Sequence, residues 1–257
     1  MHINIPTTKN DKLAQVLKKV RTHPSLTQLY QCVNINSVDR LGMPDHGPVH
    51  IRIVTNIALK LLRLLNQSEV KTNIESDYAM TYQDAEVIVF LASLLHDIGI
   101  SIHRDHHEQF SITLAAPLID ELLNGIYEPK DVVTLRSEIL HAIIAHHGET
   151  KCLTIEAGVV KVADALDMTE GRSRISFEAG EVNIFSVSTM AIEKIDILKG
   201  QEKPVRIEIQ MKNSAGIFQI DELLKRKLNH SSIKQYVEIS AVIEEGQEKK
   251  IVSSYTL

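Results

Sequence analysis

The chain has 257 residues, of which 44% are hydrophobic, so it can bury a large core in one domain or in a main domain with a smaller companion. Its net charge of −5 and its pI near 6.2 argue against a general nucleic-acid binder and a membrane-surface protein. The longest apolar stretch, Val87 to Leu95, is too short to cross a bilayer. With no signal peptide and no spacing motif at Cys32 and Cys152, the sequence predicts a cytoplasmic protein with free thiols.

The first two thirds of the chain carry helical patterns. Residues 1–44 are predicted to form a helical lead-in that Pro24 interrupts, and residues 67–81 are predicted to form a polar loop. Between residues 46 and 172, where no segment has the pattern of a strand, helices are predicted at about His50–Leu65, Ala85–Leu95, Glu108–Leu123, Ser137–Ala145 and Glu156–Thr169. Thr81-Tyr-Gln-Asp84 predicts a capping box at the start of the helix Ala85–Leu95. Gly99 is expected to end that helix in the left-handed conformation.

The pattern changes near Gly171. A short amphipathic helix is predicted at Asp221–Leu228, and strands are predicted at Val182–Val187, Val205–Met211, Tyr236–Ile243 and, as an edge strand, Lys250–Ser253. Residues 180–257 are therefore predicted to be a small α+β domain of unknown role, with strands that could mediate homodimerisation. The predicted fold class is mainly α, with a helical domain over residues 45–175 before this smaller domain.

Histidine is concentrated in the helical region, where nine of the twelve histidines lie between residues 46 and 147. The pair His96-Asp97 directly follows an apolar helix, and an ionisable pair is costly to bury there without partners. Neighbouring helix positions diverge by about 100°, so both side chains can reach one metal ion only where the helix ends, as predicted before Gly99. A metal ion would satisfy both groups.

Asp164 lies among apolar residues of the last predicted helix, so its carboxylate needs a cation or several donors. Lys161 lies one turn earlier on the same face. Two interpretations stay open: a buried Lys161–Asp164 pair that only supports the structure, or a metal ligand at Asp164 with a phosphate anchor at Lys161. His46 and His50 are both candidate ligands, and His50 is preferred because it lies on a regular helix.

Taken in chain order, these candidate metal ligands resemble the signature of the HD superfamily of metal-dependent phosphohydrolases. The signature of that family is an early His, an adjacent His-Asp pair and a later Asp, all on a helical bundle. The matching residues are His50, His96-Asp97 in Leu-Leu-His-Asp-Ile-Gly, and Asp164 in Val-Ala-Asp-Ala-Leu-Asp, and the resemblance covers roughly residues 45–172. It implies an HD-domain helical bundle in which these four residues bind a metal and His96 and Asp97 form the catalytic centre.

The resemblance extends to HD enzymes that hold a second metal through a later His and a His-His motif. His107 before Gln-Phe-Ser, and His146-His147 before Gly148, look like these motifs, which implies that Asp97 bridges two metals. The Gly-Tyr-Pro tripeptide of the cyclic-di-GMP phosphodiesterase branch is missing, which argues against that substrate. Three other histidines carry weaker expectations: His103 stays open between pocket and surface, His106 is expected to face solvent, and His141 to be partly buried.

The implied reaction is hydrolysis of a phosphate ester, of a nucleotide or another small phosphorylated molecule, by hydroxide that a bound metal generates near neutral pH. A mixed His/Asp site suits one or two ions of Mn, Fe, Co, Ni or Zn. Basic residues near the site are predicted to bind the phosphate, with Lys161 and Arg104 ranked above Arg172 and Arg174. Two alternatives remain: a di-iron oxygenase of HD type and a non-catalytic nucleotide sensor.

Overall fold

The structure is a computed structural model that describes residues 3–7, 9–169, 188–243 and the backbone of 254–256. The predictions for Arg172, Arg174, Val182–Val187 and Lys250–Ser253 lie outside these residues. The predicted domain boundary between residues 175 and 180 lies outside them too, and it stays a prediction.

Two helices form the lead-in that the sequence predicts. Helix α1 (Asp11–Thr22) is capped by the side chain of Asn10 and buries the apolar residues that mark its period: Leu13, Val16, Leu17 and Val20. Helix α2 (Pro24–Asn34) continues into a π-helical turn, Ile35–Arg40. Pro24 starts α2 at its first turn, where a missing N–H removes no helical hydrogen bond.

Six helices follow and form the bundle: α3 (Pro48–Gln67), α4 (Asn73–Tyr78), α5 (Tyr82–Leu95), α6 (His107–Leu123), α7 (Pro129–Ala145) and α8 (Ile155–Ala165). All five helices predicted between residues 46 and 172 are confirmed; their ends shift by up to four residues, except that the helix predicted to begin at Ser137 begins eight residues earlier, at Pro129. The prediction of a loop over residues 67–81 is wrong at α4. The carboxylate of Glu156 accepts hydrogen bonds from the first backbone N–H groups of α4, which stabilises this short helix from a distant segment.

Helix α5 lies at the centre of the bundle. It contacts α3, α7, α8 and α1, and each of its residues from Asp84 to Leu95 is buried. A helix that is apolar on all sides is stable only in such an interior position. The predicted capping box of Thr81 and Asp84 begins it, and His96 follows its last residue. The apolar sequence of α5 therefore delivers His96 and Asp97 into the middle of the protein.

Gly99 serves a different purpose from the one predicted. It lies in a 3₁₀ turn, Ile98–Ser101, and it is not among the glycines with positive φ. A Cβ atom at Gly99 would lie 2.0 Å from the backbone oxygen of His107 and 2.5 Å from the backbone nitrogen of Ser111. Gly99 is therefore needed for the close approach of α6 to the chain that follows α5, and not for a left-handed cap.

The C-terminal part contains a small sheet of strand order β1-β2-β3-β4: β1 (Ile192–Lys199), β2 (Val205–Met211), β3 (Val237–Ile243) and β4 (Ser254–Thr256). The β1–β2 and β3–β4 pairs are antiparallel, and the β2–β3 pair is parallel. Helix α9 (residues 216–229) connects the parallel pair and includes a π-helical stretch, Gln219–Lys225. The predicted strands at β2 and β3 and the helix within α9 are confirmed, whereas β1 was not predicted.

The architecture is mainly α, with a small α+β part after the helical bundle, as the sequence predicts. The two parts touch, since β1 contacts α3 and the end of α9 contacts α8. None of the helices in the described ranges combines the length and the apolar character needed to span a membrane.

Gly99→Ala is expected to lower the free energy of unfolding by about 1–3 kcal/mol, because the new methyl group would collide with the backbone of α6. Urea unfolding followed by circular dichroism measures this loss. Gly148→Ala is the matched control, because a Cβ at Gly148 meets nothing within 4 Å. Equal losses in the two variants would contradict the close-approach argument.

Candidate metal centre

Five segments of the bundle bring six potential metal ligands together. The groups come from α3, the end of α5, the start of α6, the end of α7, and α8, and they are His50, His96, Asp97, His107, His146 and Asp164. Five of the six residues are buried, and the side chain of Asp164 is 14% exposed. The structure thus gathers six of the seven residues that the sequence proposes as metal ligands.

Four of these residues form a first donor group. The Nε2 atoms of His50 and His96 lie 3.3 Å apart, and Asp97 Oδ2 lies 3.4 Å and 3.3 Å from them. Asp164 Oδ1 lies 3.4 Å from His50 Nε2 and 3.7 Å from His96 Nε2. A tetrahedral site with bonds near 2.1 Å would place its ligand atoms about 3.4 Å apart. Five of the six distances within this group are therefore close to those expected around one transition-metal ion.

The second oxygen of Asp97 faces a second donor group. Asp97 Oδ1 lies 3.1 Å from His107 Nε2 and 3.6 Å from His146 Nε2, and these two nitrogens are 3.3 Å apart. Asp97 thus offers one carboxylate oxygen to each group, which is the arrangement of a bridging ligand. Three protein donors at the second group leave positions for water or substrate, as catalytic sites require.

The imidazole rings are oriented by acceptors on their far sides. Three Nδ1 atoms face acceptors: His50 faces Asp167 Oδ2 (2.6 Å), His96 faces the Ser93 carbonyl (2.9 Å) and His146 faces the Ile143 carbonyl (2.5 Å). An Nδ1–H that donates in this way leaves the Nε2 lone pair to face the cluster. The Nδ1 of His107 faces both the carbonyl (2.9 Å) and the guanidinium (2.6 Å) of Arg104.

Asp167 was not identified from the sequence as a site residue. The signal was present, since Asp167 lies three residues after Asp164 in the same motif, Val-Ala-Asp-Ala-Leu-Asp. A carboxylate behind a metal-binding imidazole fixes the orientation of the ring and raises its basicity. Asp167 therefore supports His50 as a ligand, whereas the ring of His46 lies tilted beside that of His50, with the ring centres 5.5 Å apart.

The electrostatics of the cluster keep both aspartates ionised. Burial acts to raise the pKa of Asp97, but the charge of His96 and hydrogen bonds from nearby imidazoles hold that pKa well below its usual range. Burial also opposes ionisation of Asp164, where the charge of Lys227 and the histidines hold the pKa low. Burial acts to lower the pKa of His96, yet the two carboxylates raise it to about 10. The centre therefore attracts positive charge, and its carboxylates are in the form that binds metals.

His147 lies apart from both donor groups. Its Nδ1 lies 2.6 Å from Glu108 Oε1, and its side chain is 59% exposed. No metal-ligand group among the described residues includes it. It does line the cavity above the donor atoms, so the structure places it at the wall of the site rather than among the ligands.

Lys161 does not face the cavity. Its ammonium donates to three backbone carbonyls of the chain after α7: Ala145 (3.1 Å), His147 (2.6 Å) and Thr150 (2.5 Å). These bonds use all three N–H groups of a fully buried side chain, so they correct the prediction of a phosphate anchor. They also exclude the alternative interpretation, a Lys161–Asp164 pair, because the ammonium that contacts Asp164 belongs to Lys227.

The donor atoms open into a cavity of about 190 Å³, and a cleft of about 560 Å³ adjoins it. Arg104 lines both spaces, as the prediction of a phosphate-binding residue requires. Lys227 also lines the cavity; it was missed because nothing in the sequence links it to Asp164, 63 residues earlier. The predicted roles of Arg172 and Arg174 lie outside the described residues.

Three other histidines of the helical region lie outside the metal-ligand groups. His106 is exposed, as predicted, and His103 lies at the surface with 64% of its side chain exposed. His141 is half-buried and accepts a hydrogen bond from the backbone of Leu153 (3.1 Å), which confirms the expectation of a partly buried residue. Neither His103 nor His141 belongs to a metal-ligand group among the described residues.

Lys161→Met is expected to lower the free energy of unfolding by about 2–4 kcal/mol, because three carbonyls would lose their donor. The KM of any substrate should change little once the folded fraction is taken into account. Thermal unfolding together with steady-state kinetics separates the two effects. A large rise in KM without a loss of stability would restore the role of phosphate anchor.

Asp167→Ala is expected to weaken metal affinity about 10- to 100-fold, because His50 would lose the carboxylate that orients its ring. Competition with a chromophoric chelator measures the affinity. Glu121→Ala is the matched control, since it removes a carboxylate from His23 at an exposed site. Unchanged metal affinity in Asp167→Ala would refute the supporting role.

Comparisons with known proteins agree with this geometry. Residues 49–169 match the family model described as HD domain. An uncharacterized protein of Methanocaldococcus jannaschii is 41% identical over 240 residues, which cover 93% of this chain and 90% of that protein. No solved structure gives a significant match.

Ribonuclease Y from two bacteria is also similar. The protein from Clostridium perfringens is 26% identical over 196 residues, which cover 71% of this chain and 36% of that protein. The protein from Desulforudis audaxviator is 25% identical over 185 residues, which cover 67% of this chain and 34% of that protein. The chain thus spans about a third of the length of these ribonucleases. With the HD match over the segment that supplies all six ligand residues, the chain belongs to the HD-domain superfamily of metal-dependent phosphohydrolases.

Proposed function

We propose that the protein hydrolyses a phosphate ester, of a nucleotide or another small phosphorylated molecule, at a centre that holds one or two divalent transition-metal ions. The observation that carries this proposal is the position of Asp97, whose two oxygens face two separate donor groups. Both groups line or adjoin a cavity that is open to a larger cleft. The mixed imidazole and carboxylate donors suit Mn, Fe, Co, Ni or Zn.

The side chains of the cavity have distinct tasks in this proposal. A bound divalent ion supplies Lewis acidity, which lowers the pKa of water and neutralises phosphoryl oxygens. The buried donors hold a fixed geometry, and Arg104 offers a planar guanidinium to phosphate oxygens at the cavity wall. Glu108 holds His147 at the same wall, where the imidazole can carry a proton to the leaving oxygen.

The substrate class has a second candidate. The similarity to ribonuclease Y favours an RNA phosphodiester, because the alignment spans most of the helical bundle. The net charge of −5 disfavours broad electrostatic binding of RNA. A substrate panel should therefore include nucleoside mono-, di- and triphosphates, cyclic nucleotides, sugar phosphates and a short RNA. Release of inorganic phosphate would identify a phosphomonoesterase, whereas shortened RNA would identify a nuclease.

The other two functional classes predict different results. A di-iron oxygenase would consume oxygen with its substrate, and a nucleotide sensor would bind a nucleotide tightly without turnover.

We propose the reducing cytoplasm as the compartment, because Cys32 and Cys152 are free thiols. Homodimerisation through the sheet stays a prediction that light scattering can test.

Asp97→Ala is expected to remove bound metal and to lower the rate of ester hydrolysis by at least about 10³-fold, because both donor groups lose their shared ligand. Elemental analysis and an assay of hydrolysis products follow the two effects. Asp77→Ala, at an exposed position on α4, is the control and should match the wild type. Full turnover by Asp97→Ala would rule out the proposed function.

A further inference from the structure

The end of α9 contacts the bundle beside the metal centre through an ion pair and a hydrogen bond. The guanidinium of Arg226 forms an ion pair with Glu149, in the chain that follows α7. Four residues later, the carbonyl of His230 accepts a hydrogen bond from the backbone nitrogen of Cys152 (2.9 Å). The C-terminal part is therefore held at the segment that also carries His146.

Gly158 allows the chain after α9 to approach α8 closely. A Cβ at Gly158 would lie 2.3 Å from Ser232 Oγ and 2.8 Å from Ser231 Oγ. The hydroxyl of Ser232 donates to the carbonyl of Thr154 (2.5 Å), and that of Ser231 donates to the carbonyl of Gly158 (3.3 Å). These contacts fix the distance between α9 and the helix that carries Asp164.

The consequence of this docking is the position of Lys227. Its ammonium contacts Asp164 Oδ2, while Oδ1 of the same carboxylate faces His50 and His96. The side chain of Lys227 is 18% exposed and lines the cavity of about 190 Å³ above the donor atoms. A residue of the α+β part therefore reaches the wall of a site whose six donor residues all come from the bundle.

The hydrogen bonds of Lys227 differ from those of Lys161. Lys161 uses all three N–H groups on carbonyls. Within the described ranges, Asp164 is the hydrogen-bond partner of Lys227, so two of its three N–H groups are available to a ligand. Arg104 lies beside the second donor group, at His107, and Lys227 lies beside the first. Each donor group thus has one cationic side chain next to it.

We propose that Lys227 is a substrate-binding residue, which donates to a non-bridging oxygen of the phosphoryl group and makes α9 part of the active site. The inference rests on the proposed function for its substrate class, a phosphate ester. It assigns to the α+β part a direct role in recognition of the substrate. Lys227 and Arg104 then hold the phosphoryl group from two sides of the cavity.

The experiment measures the binding of inorganic phosphate to the metal-loaded, full-length protein by titration calorimetry. Lys227→Met is expected to raise the dissociation constant for phosphate about 10- to 100-fold, because a charged hydrogen bond is lost. The metal content should stay at the wild-type level, and Lys227→Arg should recover most of the affinity. With an active ester, the KM should rise in parallel with the dissociation constant.

Lys225→Met is the matched control, since Lys225 lies on the same helix and pairs with Asp221 at the surface. It should bind phosphate as the wild type does. Lys227→Gln replaces Lys227→Met if that variant fails to fold. Unchanged phosphate affinity in the Lys227 variants would overturn the inference, and so would a parallel loss of metal and phosphate, which would mean that Lys227 only positions Asp164.

The two proposals fail in different ways. If esters are hydrolysed and Asp97→Ala is inactive, but Lys227→Met keeps its phosphate affinity and KM, the proposed function stands and the inference is wrong. If no ester is hydrolysed by metal-loaded wild-type protein, but phosphate binding depends on Lys227, the proposed function fails and Lys227 remains an anion-binding residue.

Discussion

The structure depends on the burial of two carboxylates, Asp97 and Asp164, inside an apolar bundle. Charges in such a position are stable only when cations or several donors surround them. The segments packed around these carboxylates supply such groups: four imidazoles from the bundle and one ammonium from α9. The same negative charge raises the pKa of His96 to about 10 against the effect of burial, so a metal ion that binds Nε2 must displace a proton from this imidazole.

Residues outside the family signature hold this arrangement in place. Gly99 and Ser111 bring the start of α6 against the chain after α5; the hydroxyl of Ser111 accepts from Gly99 N (2.8 Å) and donates to the His96 carbonyl (2.6 Å). Lys161 fixes the segment that carries His146, and Asp167 fixes the ring of His50. These contacts support His96, His146 and His50 from outside the metal centre.

The sequence predicts the helices and picks out the six residues that the structure brings together, because helical period, capping boxes and the order of the family motif are local signals. It fails where a residue's role depends on a distant partner. Lys161 and Lys227 both lie on helices with apolar faces, and only the folded chain shows that the first binds carbonyls and the second contacts Asp164. Strand β1 was missed because a register shift between Ile192 and Lys194 interrupts its alternation.

The two donor groups are unequal, and this difference orients the proposed substrate. Within 3.7 Å of its two Nε2 atoms, the first group has oxygens of both Asp97 and Asp164, whereas the second group has an oxygen of Asp97 and so retains more open positions. The cleft of about 560 Å³ is lined by His107 of the second group and by neither His50 nor His96 of the first. A leaving group would therefore extend into this cleft, past Arg104 and His147. The phosphoryl group would then lie between the cleft and Lys227, which lines the cavity beside the first donor group.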